Sequence, residues 1–193
     1  HLDLSLFKEN IQLNKVSELQ KTLIINNSNF SDHIPRSIIL NLSENSNLNI
    51  IHYCISNSKS FLYFEINQQN NSKLKFITFQ SNNIHTRNEF FSSLEENCSL
   101  DLYGLNIHNH GVNDNYSFIQ HMKPSSQSRE VFKSIVDNGA VTNFQGKIYV
   151  DSVAQKTDGY QMSRSLILDN DSKANNKPEL EIYADDVKCS HGS

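Results

Sequence analysis

The dominant hydrophobic period along this chain is two. Runs rich in Ile, Leu, Phe and Tyr, among them Ile24 to Phe30, Ser37 to Leu42, Leu48 to Ile55, Ser60 to Ile66, Lys73 to Phe79 and Ser99 to Ile107, are separated by clusters of Asn, Ser, Asp and Gly. Further runs cover Asn88 to Phe91, Tyr116 to His121, Gln145 to Val150, Ser165 to Leu168 and Glu179 to Tyr183. Such alternation predicts strands that bury one face and wet the other. Only Ser128 to Val136 offers a turn or two of helix, and its β-branched Val131, Ile135 and Val136 weaken even that. The chain reads as all-β.

Strand-like runs beginning near Phe144, Ser163 and Glu179 recur at spacings of about 15 to 20 residues, which fits the coils of a parallel β-helix. A β-sandwich is the alternative from the residues alone. In the β-helix reading Ile148, Val150, Leu166, Leu168, Leu180 and Ile182 point inward. Roughly one residue in seven is Asn, concentrated between the strands, where Asn tolerates left-handed and Asx-turn conformations. A compositional bias of the genome explains the same enrichment equally well.

With 193 residues the chain forms one domain, residues 1–193, large enough to bury most of its apolar surface. Charged residues at 20% and few Gly and Pro exclude collagen-like or fully disordered classes and suggest a soluble globular chain. A net charge of −4 with scattered Lys and Arg gives no basic field for a phosphate backbone, so nucleic acid is not expected as a partner. No run of 18 apolar residues and no secretory leader is present, so neither a membrane span nor export is expected. Starting at His1 and ending just past His191, the sequence reads as a piece of a longer protein.

Three cysteines, Cys54, Cys98 and Cys189, without a Cys-x-x-Cys pair, favour a reducing compartment over a disulfide framework. Cys54 and Cys98 lie in strand-like runs and read as small buried hydrophobes. Cys189 and His191 differ: two positions apart in an extended segment, they leave the same face roughly 7 Å apart. A thiolate and an imidazole are two of the four donors that a soft-metal or iron–sulfur site usually takes, so the remainder must come from elsewhere. His108, His110 and His121 form a weaker zinc candidate, outweighed by scattered surface histidines because no carboxylate or cysteine stands at close spacing. Asp185 and Asp186 are adjacent, point to opposite faces of a strand and cannot work as an acid/base pair. Lys156, Thr157 and Asp158 have no Gly-rich phosphate loop before them, and Gln155 to Gln161 reads as a structured corner.

The segments Phe144–Val150, Ala154–Gln161, Arg164–Leu168 and Lys177–Gly192, in that order, resemble the SufB/SufD family of iron–sulfur cluster assembly proteins, with weaker likeness at Asp114, Asn115, His121, Ser128–Glu130, Phe132 and Lys133. The ending Asp185-Asp-Val-Lys-Cys-Ser-His-Gly192 resembles the SufD branch; Tyr116, Ser163 and Ser165 depart from the family pattern. The resemblance implies a right-handed parallel β-helix and a non-catalytic scaffold subunit that pairs with SufB. It also implies a transient iron–sulfur cluster shared at that interface, with Cys189 as thiolate donor and His191 as imidazole donor. The family's complex contains the ATPase SufC, which docks on a helical region following the Cys-Ser-His-Gly motif, beyond this sequence; a homodimer is the expectation for the isolated chain. The implied location is the bacterial cytoplasm, or the plastid stroma in a plastid-bearing cell. A carbohydrate-active β-helix enzyme or a plain interaction module is the runner-up, the former requiring two spaced carboxylates on one groove face.

Overall fold

The computed structural model describes residues 2–3, 11–16, 21–26, 35–55, 59–81 and 84–192. Its strands are β1 (Leu2–Asp3), β2 (Ile11–Val16), β3 (Lys21–Asn26), β4 (Arg36–Leu42), β5 (Asn47–Ile55), β6 (Lys59–Gln68), β7 (Lys73–Ser81) and β8 (His85–Leu94). They continue as β9 (Ser99–His108), β10 (Val112–His121), β11 (Gln127–Val136), β12 (Val141–Val150), β13 (Asp158–Ile167), β14 (Lys173–Ile182) and β15 (Lys188–Gly192). Odd strands form one parallel sheet, β1-β3-β5-β7-β9-β11-β13-β15, and even strands the other, β14-β12-β10-β8-β6-β4-β2. Each successive strand thus crosses to the opposite sheet, and the chain winds as a parallel β-solenoid. The spacing of 15 to 20 residues marks the step between sheets; a full coil is longer, as in Gln127↔Asp158↔Lys188.

From β4 to β12 burial alternates along each strand, one set of side chains entering the bore and the other facing outward, as in β12 from Val141 to Val150. Phe64, Phe76, Phe90, Phe132 and Phe144 stack through the bore. Ring centroids lie 5.0 Å apart for Phe64 and Phe90 and 4.9 Å for Phe132 and Phe144. Gly104 makes this column possible: a Cβ there would stand 2.2 Å from Phe132 Cδ1.

The corners explain part of the asparagine content. Asn45, Asn71 and Asn97 take φ of 59°, 60° and 55°, followed at the same corner by Ser125 at 65° and Lys156 at 61°. The Asn71 amide donates to the Glu96 carbonyl at 2.9 Å and that of Asn97 to Pro124 at 3.0 Å, so each corner is hydrogen-bonded to the next coil. Asn97 Nδ2 also donates to Asn71 Oδ1 at 2.8 Å. Left-handed backbone is costly for most L-residues, and Asn accepts it best after Gly.

Several expectations need correction. Ser128 to Val136 is strand β11, not helix; its inward set, Ser128, Glu130, Phe132, Ser134 and Val136, mixes polar and apolar residues and so hides the period of two. Leu166 and Leu168, each 56% exposed, do not point into the bore. The inward set of β13 is Gly159, Gln161 and Ser163, one position out of step with the leucines. Ile182 follows the inward column of Val150 yet is 38% exposed, because no described strand lies beyond β14 to cover it. Ile148 and Val150 are fully buried, and Leu180 is partly so. Ser165 to Ile167 is only the tail of β13 and Leu168 lies just past it, and residues 27–30 of the Ile24 to Phe30 run lie outside the described residues.

Candidate metal centre at the open end

The solenoid ends in two uncovered edges. Among the described residues no strand pairs the far side of β14 or β15, and β15 covers only Asp158 to Met162 of β13. Tyr183 N donates to Val150 O at 2.9 Å. Because amides alternate in direction along a strand, that of Ile182 faces the uncovered edge. Pro178, which has no amide hydrogen, shares this parity and costs the sheet no ladder bond.

Cys189 and His191 lie on β15 and share its inner face. In register Cys189 stands beside Gly159 and His191 beside Gln161, so the Cys-Ser-His-Gly ending is laid directly on the Gly-Tyr-Gln-Met segment, residues 159–162, of the preceding coil. The Cys189 thiol is half-buried against a small apolar cluster of Ile148, Val150, Ala154, Ala184, Leu180 and Val187. Burial pushes its pKa up, the carboxylate of Asp158 adds to this, and a backbone hydrogen bond from Gly159 opposes it. At neutral pH the sulfur is therefore a thiol. The imidazole of His191 is exposed at the rim.

Behind this pair the bore is polar. Gln161 is fully buried, and its Nε2 donates to the carbonyls of Gly146 and Glu179, both at 3.3 Å, tying the two sheets together. One coil further in stands Glu130, also fully buried, with neither carboxyl oxygen hydrogen-bonded. Gln161 Oε1 and Glu130 Oε2 converge on the space above Gly146, 2.6 and 3.1 Å from where its Cβ would lie. Buried acceptors without a donor are costly, and protonating the carboxyl supplies a donor there. Desolvation accordingly raises the Glu130 pKa to about 7, against the lowering effect of the nearby Ser117 hydroxyl. Glu130, Gln161 and Gly159 were not singled out as site residues from the sequence. The signal was the place of all three in the family-like segments, Ser128–Glu130 and Ala154–Gln161.

The histidines are not scattered over the surface. His108 and His121 are 1% and 0% exposed, and His110 is half-buried. His121 Nδ1 lies 2.6 Å from Ser126 Oγ and Nε2 2.9 Å from Ser128 Oγ, so both ring nitrogens are engaged by hydroxyls. Burial holds His108 and His121 at about 4, His110 adding to the effect at His108, and holds His52 at about 3. No group of three or more His, Cys, Asp or Glu among the described residues could hold a metal, so these histidines and Cys189–His191 do not form one cluster. Cys54 and Cys98 are buried and form no disulfide, and the Cys98 thiol donates to the Gln69 carbonyl at 3.1 Å. Asp185 and Asp186 sit in the bend after β14, where the Asp186 amide donates to Gln155 Oε1 at 2.9 Å. Lys156 and Thr157 belong to the facing corner, and Asp158 opens β13.

The chain is thus a parallel β-solenoid with a thiol and an imidazole on the last strand of one sheet. The family model described as SUF system FeS cluster assembly, SufBD core domain, matches residues 12–193, and the chain belongs to that family. The iron–sulfur cluster assembly protein SufD of Escherichia coli strain K12 is 42% identical over 82 residues, 42% of this chain and 19% of that protein. Protein ABCI7, chloroplastic, of Arabidopsis thaliana is 44% identical over 71 residues, 36% of this chain and 15% of that protein. SufD of Plasmodium berghei is 25% identical over 190 residues, 96% of this chain and 14% of that protein. The aligned parts span less than a fifth of each of these relatives.

Proposed function

We propose that this chain is the core of a SufD-type scaffold subunit, non-catalytic in itself, which pairs with a SufB-type partner through its open C-terminal end and helps form a nascent iron–sulfur cluster there. The observation that carries this reading is the union, on the uncovered edge, of a thiol and an imidazole on one inner face with unpaired strand edges. An open edge offers a row of backbone donors and acceptors to a second chain. Two donors leave an iron–sulfur site half made, and a partner's donors complete it. The cluster is cargo, passed on to apoproteins.

Ligation needs Cys189 as thiolate and His191 neutral, whereas burial keeps the thiol protonated in the isolated chain. The scaffold alone therefore binds iron weakly and the complex binds it better. SufC, in this reading, joins through the rest of the full-length protein. A bacterial cytoplasm or a plastid stroma is the expected compartment, in keeping with bacterial and chloroplastic relatives. Anaerobic reconstitution of the full complex, read by visible absorbance and bound iron, tests the assignment, with Cys189→Ser and His191→Ala expected to lower cluster yield while leaving the fold intact.

A further inference from the structure

Glycine at position 159 is not required by its backbone. The glycines with positive φ are Gly111 and Gly139, at corners, whereas Gly159 lies inside β13 with ordinary strand geometry. Its column in the bore otherwise carries side chains, Leu100 and Ser128 on the coils before it and Cys189 on the coil after. The space a side chain would take is closely bordered by sulfur. A Cβ at Gly159 would stand 3.2 Å from Cys189 Sγ and 3.4 and 3.5 Å from Cγ2 and Cδ1 of Ile148. Ile148 is fully buried and cannot retreat, while the edge strand β15, paired on one side only, can give way.

We infer that Gly159 is the positioning residue for Cys189: its missing side chain leaves a notch into which the thiol turns, stowed against Ile148 and away from solvent. The floor of the notch is fixed, because the neighbouring Gln161 is tied to Gly146 and Glu179 across the bore. A lone thiol at an exposed end invites oxidation and adventitious metals, and both depend on thiolate character and access. The notch limits both until a partner covers the end. The purpose of this arrangement rests on the reading of Cys189 as a cluster ligand; the seating of the sulfur does not.

The test is the rate of iodoacetamide alkylation at each cysteine of the intact chain at pH 7.5, resolved by peptide mass spectrometry. In the unmodified sequence Cys189 should react roughly tenfold more slowly than the thiol introduced at the exposed neighbouring position by Ser190→Cys. Gly159→Ala should speed Cys189 by about threefold or more while Cys54 and Cys98 stay protected, which reports that the fold is intact. Gly192→Ala, whose methyl would meet only Met162 Cγ at 3.8 Å, should leave the rate within about twofold. A Cys189 as reactive as position 190, or unchanged in a folded Gly159→Ala chain, overturns the inference. Should Gly159→Ala unfold, exposing Cys54 and Cys98, the comparison of positions 189 and 190 decides alone. Cluster yield indifferent to Cys189→Ser, together with the expected alkylation rates, would remove the ligand role and leave the notch standing.

Discussion

Replacing Glu130 with Gln should stabilise the protein, and by an amount that grows with pH. The carboxyl is fully buried without a hydrogen bond, and its pKa is raised to about 7 from the model-compound value of 4.5. A folded-state value above the unfolded one means that the folded chain holds the extra proton. The stabilising contribution is complete below pH 4.5 and is lost as pH rises through 7. A difference of roughly 2.5 units corresponds to about 3 kcal/mol, of which most is lost between pH 5 and pH 8. Glutamine keeps the shape, cannot ionise and brings an amide donor toward Gln161 Oε1. Urea unfolding of both chains at pH 5, 6, 7 and 8 should show the stability difference widening by about 2 to 3 kcal/mol in favour of Glu130→Gln across that range. A difference that stays constant, or that favours the unmodified chain more at pH 8 than at pH 5, would refute a buried, neutral Glu130.

The buried histidines act with the opposite sign: His52, held at about 3, and His108 and His121, at about 4, resist protonation in the fold, so stability present above pH 6.5 should fall by several kcal/mol as pH drops toward 4. His108→Gln should soften that acid limb in urea melts, and an unchanged slope would count against burial of His108. Gly104→Ala should cost more than about 3 kcal/mol, because its methyl would overlap the Phe132 ring; a thermal melt within a degree of the parent would contradict the packing. Ile182→Pro should leave the thermal transition little changed, since the amide it removes faces the open edge, yet weaken binding to the SufB-type partner by tenfold or more in titration calorimetry, by an order-of-magnitude expectation for a lost ladder donor in an interface. Equal affinity in the folded variant would move the interface elsewhere.

The winding was legible because strand alternation is set by a buried bore and a wet exterior, and runs such as Leu48 to Ile55 and Gln145 to Val150 display it openly. Where polar residues line the bore, the same alternation becomes invisible to a reading of apolar positions. Glu130, Gln161 and His121 are fully buried in that way, and Ser128 to Val136 shows no clear period of two in its apolar residues. Leu166 and Leu168 misled in the other direction, being apolar on the outside of an end coil. The pairing of Cys189 with His191 followed from a spacing of two. Their seating over Gly159 and Gln161 depends on a register across some thirty residues of intervening chain, which local pattern does not encode. The corner at Gln155 to Gln161 was recognised as structured, but its second half is the wall of the candidate site.

Cys189 and His191 are the proposed donors to a cluster built at the open end. Anaerobic reconstitution of the full-length complex with iron and sulfide, comparing the unmodified subunit with His191→Ala, tests this most directly by visible absorbance and bound iron per complex. A clear fall in cluster yield, with an unchanged thermal transition because an exposed imidazole contributes little packing, is the predicted result. Equal yield from the two complexes would contradict it.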